Sequence, residues 1–118
     1  MNAKRILIAD DEEVIRMIIR MALEDRYDFS EAGDGEEAWA KIENAAPPFD
    51  LVIMDLSMPL LDGNELLERL LVRQPDARAI LLTGRLDFDL PTKHPGVRLL
   101  RKPFDNVELA KTVATLLA

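Results

Sequence analysis

Three aspartates stand where two short apolar runs end. Asp10 and Asp11 follow RILIA at 5–9, and Asp55 follows DLVIM at 50–54. Runs of this length, rich in β-branched and aliphatic side chains, are typical of buried parallel strands. Carboxylates that are crowded together repel one another and raise each other's pKa, so they need a compensating cation. The spacing therefore favours a metal site made of oxygen ligands.

The carboxylates suit a hard cation. Magnesium fits best because it accepts one to three carboxylates, keeps several waters and often completes its shell with phosphate oxygens, and manganese would be an acceptable substitute. The chain has no cysteine, which excludes disulfides, zinc thiolate sites and cysteine nucleophiles. The one histidine, His94, lies in a proline-rich stretch without a partner at metal spacing, so we expect it to be exposed and without chemistry.

Two further polar residues end apolar runs. Thr83 follows AILL at 79–82, and Lys102 follows the run at 97–101. With a metal and the Lys102 ammonium nearby, one carboxylate can remain ionised and attack phosphorus, giving an acyl phosphate. Asp55, between the other groups, is the natural candidate. The Thr83 hydroxyl and the Lys102 ammonium can then bind phosphoryl oxygens.

Strands and helices alternate along the chain. We predict strands at 5–9, 28–32, 50–54, 79–82 and 97–101. This alternation indicates an α/β fold with a doubly wound, open parallel sheet and helices on both faces, since parallel strands require crossover connections. Ligands of such sheets gather outside the carboxyl ends of the strands. The five polar residues, scattered over more than ninety positions, should therefore converge on one edge.

The expected helices follow from apolar spacing and from turn signals. The first runs to about Asp25, with Val14, Ile18 and Met21 on one face. The others are expected at 36–45, at 63–73, and after a cap at Asp105 or Asn106, with Leu109, Val113 and Leu116 facing inward. Residues 85–96 contain two prolines and a glycine without a clean period, so we expect a loop there, or at most a short or irregular helix.

Composition limits the possible partners. With 118 residues, 48% of them hydrophobic and 31% charged, the sequence suits one globular domain over 1–118. The formal net charge of -7 disfavours binding to nucleic acids and anionic lipids. No apolar run approaches the roughly 20 residues of a membrane span and the N-terminus lacks a signal-peptide pattern, so we expect a cytoplasmic protein without membrane insertion. The sequence leaves its oligomeric state open.

Four segments in register resemble the receiver domain of two-component response regulators and hybrid histidine kinases. They are ILIADDE at 6–12, DLVIMDLSMPLLDG at 50–63, LLTG at 81–84 and LLRKPF at 99–104. The resemblance covers nearly the whole chain. It implies a flavodoxin-like, five-stranded sheet of order 2-1-3-4-5.

The resemblance also implies a function. Asp55 would accept a phosphoryl group from the phosphohistidine of a partner histidine kinase or phosphotransfer protein, and an unknown downstream protein would respond. Asp10, Asp11, Asp55 and the main-chain carbonyl of Ser57 would hold the metal. Lys102 and Thr83 match the family's remaining signature positions. The Lys102–Pro103 bond looks like the family's cis peptide.

The sequence departs from the family pattern between its fourth and fifth strands. Only 19 positions separate Thr83 from Lys102, a few fewer than receivers usually show, and RLDFDLPTKHPGV replaces a regular fourth helix. Leu99 stands where many receivers carry a switching Tyr or Phe. The usual coupling between threonine and an aromatic ring therefore lacks its aromatic partner, and dimerisation through that face loses support.

Two other functions compete with the phosphoacceptor switch. A pseudo-receiver would bind partners without phosphorylation, and the irregular 85–96 segment keeps this alternative open. A phosphatase of the haloacid dehalogenase type also uses a strand-end aspartate as nucleophile. That family wants a second acid two residues later, where this chain has Ser57. Because the chain ends directly after the last expected helix, it could be a stand-alone regulator or a receiver from a longer protein.

Overall fold

A computed structural model of the chain describes residues 3–90 and 94–118. The five strands are β1 Arg5–Ala9, β2 Asp28–Ala32, β3 Leu51–Asp55, β4 Ala79–Thr83 and β5 Val97–Arg101. The helices are α1 Glu13–Leu23, α2 Gly35–Asn44, α3 Gly63–Arg73 and α4 Asn106–Leu116, and a 3-10 turn covers Glu24–Arg26. The predicted elements are thus confirmed, with boundaries that differ by one or two residues. None of the helices in the described ranges has the length and apolar character that a membrane span requires.

All five strands are parallel and lie in the order β2-β1-β3-β4-β5, as predicted. Their register brings the carboxyl ends to one edge of the sheet. Ala9 pairs with Met54, and Asp55 pairs with Leu82. Thr83, the last residue of β4, pairs with Arg101. The residues that directly follow these strands therefore lie at the same edge of the sheet.

Alternate residues of the strands enter two separate cores. On one face of the sheet, Leu7, Val52 and Leu81 pack against α2 and α3. On the other face, Ile8, Ile53 and Leu82 pack against α1 and α4. This second core includes three residues of α4 that were predicted to face inward, Leu109, Val113 and Leu116. A strand buried on both faces needs apolar side chains at every position, which explains the unbroken runs in the sequence.

The predicted face of α1 is not the one that packs on the sheet. Ile19 and Leu23 are buried, whereas Val14 and Met21 are 58% and 71% exposed. The helix also ends at Leu23 rather than near Asp25. Glu24 has a φ of 59°, in the left-handed region, so the regular helix stops there.

The connection from β4 to β5 forms no helix within its described residues, 84–90 and 94–96, which agrees with the expected loop. The remaining three residues of the segment lie outside the described ranges. Phe88 and Leu90 lie partly buried against the core on the side of α2 and α3.

His94 was expected to be exposed, but it is half-buried. Its Nε2 lies 2.7 Å from the carbonyl oxygen of Pro75, and the Gly96 N–H donates to its Nδ1 at 3.1 Å. The ring thus links the turn before β4 to the start of β5.

Candidate functional site

The candidate site lies at the carboxyl edge of the sheet. Among the described residues, three polar or charged side chains are buried, and all three were predicted to belong to the site: Asp10, Asp55 and Thr83, which are 0%, 6% and 1% exposed. Burial of a carboxylate is costly unless partners compensate its charge. These residues therefore need partners, and the neighbouring elements supply them.

Lys102 joins the two buried carboxylates. Its Nζ lies 3.1 Å from Oδ2 of Asp10 and 3.3 Å from Oδ2 of Asp55. The Lys102 main-chain N–H donates to the Thr83 carbonyl at 2.7 Å, which extends the pairing of β4 and β5 by one residue. The Lys102–Pro103 peptide is cis, as predicted. The lysine is therefore held at the edge of the sheet with its ammonium between the acids.

The three predicted acids come together. Asp10, Asp11 and Asp55 each offer a carboxylate oxygen, and these oxygens lie within 4.8 Å of one another. Around Mg²⁺, with bonds of about 2.1 Å, oxygens on opposite sides of the ion are about 4.2 Å apart. Small side-chain movements would therefore bring the three oxygens to ligand distance. Because hard oxygen donors suit Mg²⁺, the residues present fit the predicted ion.

The charges at the site perturb two pKa values. Burial raises the pKa of Asp55, and the neighbouring charge of Asp10 acts in the same direction. Lys102 and a hydrogen bond from the Ser57 main chain oppose this rise without cancelling it. Burial would lower the pKa of Lys102, but the charges of Asp10 and Asp55 outweigh it and raise that pKa. The site thus favours a charged lysine and a partly compensated acid pair.

Thr83 and Ser57 border the acidic group. The Thr83 hydroxyl oxygen accepts a hydrogen bond from the Arg85 N–H at 3.0 Å, which leaves its own hydrogen available for donation. The Ser57 main chain is close enough to hydrogen-bond the Asp55 carboxylate, and the Ser57 side chain is exposed. The role of the Ser57 carbonyl as a metal ligand stays a prediction.

Comparison with known proteins agrees with this geometry. The family model described as "Response regulator receiver domain" matches residues 6–114. The chain belongs to the receiver domain family. Members typically bind Mg²⁺ at an acidic cluster, and Asp10, Asp11 and Asp55 form such a cluster here.

The match covers nearly all of some similar proteins and about half of others. The receiver is 31% identical over 121 residues to the "Response regulator receiver protein CpdR" of Brucella abortus, with 97% of each chain covered. It is 36% identical over 114 residues to the "Uncharacterized transcriptional regulatory protein YhcZ" of Bacillus subtilis, covering 92% of this chain. The match covers 52% of YhcZ, so the chain spans about half the length of that relative. A CheY-like receiver domain from Methanospirillum hungatei superposes with a TM-score of 0.87 at 30% identity, covering 98% of this receiver and 94% of the other.

The receiver also contains an arginine at this edge that the sequence analysis missed. Arg16, on α1, donates from Nη1 to the main-chain carbonyl of Asp10 at 2.6 Å and from Nε to Oε1 of Glu31 at 2.9 Å. Its side chain is only 17% exposed. An arginine on a helix is ordinarily solvated, so nothing in the local pattern distinguishes this one.

Proposed function

We propose that the chain is a phosphoacceptor signalling switch that receives a phosphoryl group on Asp55 from a histidine kinase or a histidine phosphotransfer protein. The observation that carries the proposal is the buried Asp55 carboxylate, held 3.3 Å from the Lys102 ammonium within a group of three acids. Such a carboxylate has a nucleophilic oxygen and neighbours that can stabilise the charge of a phosphoryl group. Membership of the receiver family supports the same assignment.

In the proposed transfer, an Asp55 oxygen attacks the phosphorus of a phosphohistidine. A P–O bond forms as the P–N bond breaks, and the imidazole leaves with the electron pair and takes up a proton. Lys102 pairs with one phosphoryl oxygen, and the Thr83 hydroxyl donates to another. Asp10, Asp11, Asp55 and the Ser57 carbonyl would hold Mg²⁺, which supplies positive charge to the phosphoryl oxygens when it is bound. Water later hydrolyses the acyl phosphate, so the only catalysis is self-directed.

The surface beside the site suits a protein donor. Val14, Met17, Ile18 and Met21 are exposed apolar residues of α1. A groove of about 350 Å³ is lined by Ile15, Ile18, Lys102, Pro103 and Phe104, and so reaches the lysine of the site. Exposed apolar residues next to a polar site are typical of protein interaction surfaces. We propose that the phosphodonor protein packs on α1 and directs its histidine toward Asp55.

The phosphoryl group would shift the receiver toward a conformation with different affinity for a downstream protein. The two classes of partner are thus a histidine-containing phosphodonor protein and a downstream target protein. We also propose that the protein is cytoplasmic, as expected from the sequence. Residues 1–118 are proposed to form one receiver domain.

The helix-free connection between β4 and β5, within its described residues, favours a second candidate. In a pseudo-receiver, partners would bind without phosphorylation, and the acids would have no phosphoryl chemistry. A single experiment separates the two candidates. The protein is incubated with phosphoramidate or acetyl phosphate and Mg²⁺, and the adduct is located by mass spectrometry of the intact chain and its peptides.

The switch predicts one adduct on the wild type, none on Asp55→Asn, and none on the wild type when EDTA replaces Mg²⁺. Asp62→Asn is the matched control, because Asp62 is an exposed cap of α3 and asparagine caps helices equally well. That variant should form the wild-type adduct. An unmodified wild type would favour the pseudo-receiver, and an adduct that persists in Asp55→Asn would show that the acceptor lies elsewhere.

A further inference from the structure

Asp10 is fixed at each of its polar groups. Its N–H donates to the Ala32 carbonyl at 3.1 Å, which continues the pairing of β1 and β2. Its Oδ1 accepts from the Glu12 N–H at 2.9 Å, and its Oδ2 accepts from Lys102 at 3.1 Å. The remaining group, the main-chain carbonyl, accepts from Nη1 of Arg16 at 2.6 Å. Within residues 3–90 and 94–118, Arg16 therefore supplies the one restraint on Asp10 that comes from a side chain outside the acid cluster and its lysine.

Arg16 is itself held by β2. Its Nε donates to Oε1 of Glu31, and Nη1 of Arg20 donates to Oε2 of the same carboxylate at 2.7 Å. Burial alone would raise the pKa of Glu31, but the hydrogen bonds and charges of Arg16 and Arg20 outweigh it and lower that pKa. Glu31 is therefore ionised near neutral pH. A guanidinium has donors in a fixed planar arrangement, so binding Glu31 at Nε orients Nη1 toward the Asp10 carbonyl.

We propose that Arg16 is a positioning residue of the metal site, which fixes the backbone of Asp10 through its carbonyl so that the Asp10 carboxylate faces the other acids. The inference rests on the proposed magnesium site. A buried carbonyl without a partner is costly, so loss of the Arg16 donor should let the Asp10 backbone turn toward water or another donor. Because the carboxylate moves with the backbone, its distance to the other metal-binding oxygens should change.

Arg20 provides a matched control. It lies on the same helix and pairs with the same Glu31 carboxylate, but it makes no hydrogen bond to Asp10 and its side chain is 52% exposed. Arg16→Gln and Arg20→Gln each remove one positive charge. By Coulomb's law alone, both changes should strengthen binding of a divalent cation. The proposal predicts the opposite for Arg16→Gln, so the sign of the effect separates positioning from charge.

The first measurement is Mn²⁺ binding to the whole chain, with free ion counted by electron paramagnetic resonance and Mg²⁺ affinity obtained by competition. Loss of a group that orients a metal ligand typically weakens affinity about 10- to 100-fold. We expect about a tenfold loss for Arg16→Gln and less than a twofold change for Arg20→Gln. Equal affinities in the two variants would overturn the role of Arg16. A wild type that binds neither ion would instead count against the proposed metal site.

Hydrogen exchange tests the inference without any metal. The Glu12 N–H donates to Asp10 Oδ1, and the Glu37 N–H donates to the Asp34 side chain at 2.7 Å in a part of the chain that Arg16 does not bond. In Arg16→Gln we expect the Glu12 amide to exchange about tenfold faster, with Glu37 unchanged. A general loss of stability would accelerate both amides. Unchanged exchange at Glu12 would refute the proposed restraint even if the wild type bound no ion.

Discussion

Gly63→Ala should both destabilise the receiver and disturb the proposed acceptor site. Gly63 begins α3, and its N–H donates to the Leu56 carbonyl at 2.9 Å. A Cβ at this position would lie 2.3 Å from the carbonyl oxygen of Asp55 and 2.8 Å from Cδ1 of Leu81. The main-chain oxygen belongs to a buried strand and cannot turn aside as a flexible side chain could. The start of α3 would have to move away from the end of β3.

The magnitude follows from the size of that overlap. Ordinary Cβ contacts begin at 3.4 Å, so the two elements would separate by roughly 1 Å. Overpacking of this kind costs about 1–3 kcal/mol, and a clash with main chain justifies the upper value. Alanine's helix propensity returns at most about 1 kcal/mol relative to glycine. The net loss should therefore be about 2 kcal/mol, or roughly 8 °C in Tm at about 4 °C per kcal/mol for a chain of this length.

Urea and thermal denaturation followed by circular dichroism would measure the loss, with Gly33→Ala as the control. The nearest atoms to a Cβ at Gly33 are two side-chain tips at 3.8 Å, so this change should alter the free energy of unfolding by less than about 0.5 kcal/mol. Formation of the acyl phosphate should also slow in Gly63→Ala, since the Asp55 backbone would be displaced. If Gly63→Ala proved as stable as Gly33→Ala, the close approach of β3 and α3 would be wrong.

Three further predictions concern the charge of Asp55, the binding of Mg²⁺ and the exposed residues of α1. Because the pKa of Asp55 is raised in the folded protein, ionisation of this carboxyl lowers the free energy of unfolding as the pH rises above about 4. Without metal, Asp55→Asn should therefore be more stable than the wild type at pH 7 and lose that advantage on acidification. Denaturation at several pH values would check this. Mg²⁺ at 100 times its Kd should stabilise the wild type by about 2.7 kcal/mol and the variant less; equal stabilisation would contradict the role of Asp55 as a ligand. Met21→Asp should slow phosphoryl transfer from a histidine donor protein roughly tenfold without affecting the reaction with acetyl phosphate. Val72→Asp, at a similarly exposed position on α3, should slow neither reaction. Equal transfer rates in the two variants would show that α1 is not part of the docking surface.

Strands and strand-end residues could be predicted because one physical constraint determines both. A central parallel strand is apolar at every position, and the first polar residue after it marks the edge of the sheet. The acids after β1 and β3 could therefore be assigned to one site before any distance was known. The cap of α4 was predicted for a similarly local reason, and Asp105 accepts hydrogen bonds from Val107 and Glu108.

The packing face of α1 could not be chosen from periodicity. The helix reads EVIRMIIRMAL, with apolar residues on nearly every side, so a stripe through Val14, Ile18 and Met21 is as regular as one through the buried pair, Ile19 and Leu23. Packing against the sheet determines which of the two faces is buried, and the sequence of α1 alone does not indicate that face.

Long-range partners explain the other omissions. Arg16 acquires its role from Glu31, 15 positions away, and His94 acquires its contact from Pro75, 19 positions away. The residues adjacent to each side chain in sequence do not identify its partner. Only the fold reveals which backbone carbonyl it reaches.

The Lys102 ammonium lies between the carboxylates of Asp10 and Asp55 and stabilises this edge of the sheet. Lys102 already neutralises part of the charge of Asp10 and Asp55, so we expect these side chains to keep their arrangement without a bound ion. In the proposed switch, the cation and the phosphoryl group would exchange one set of ionic partners for another.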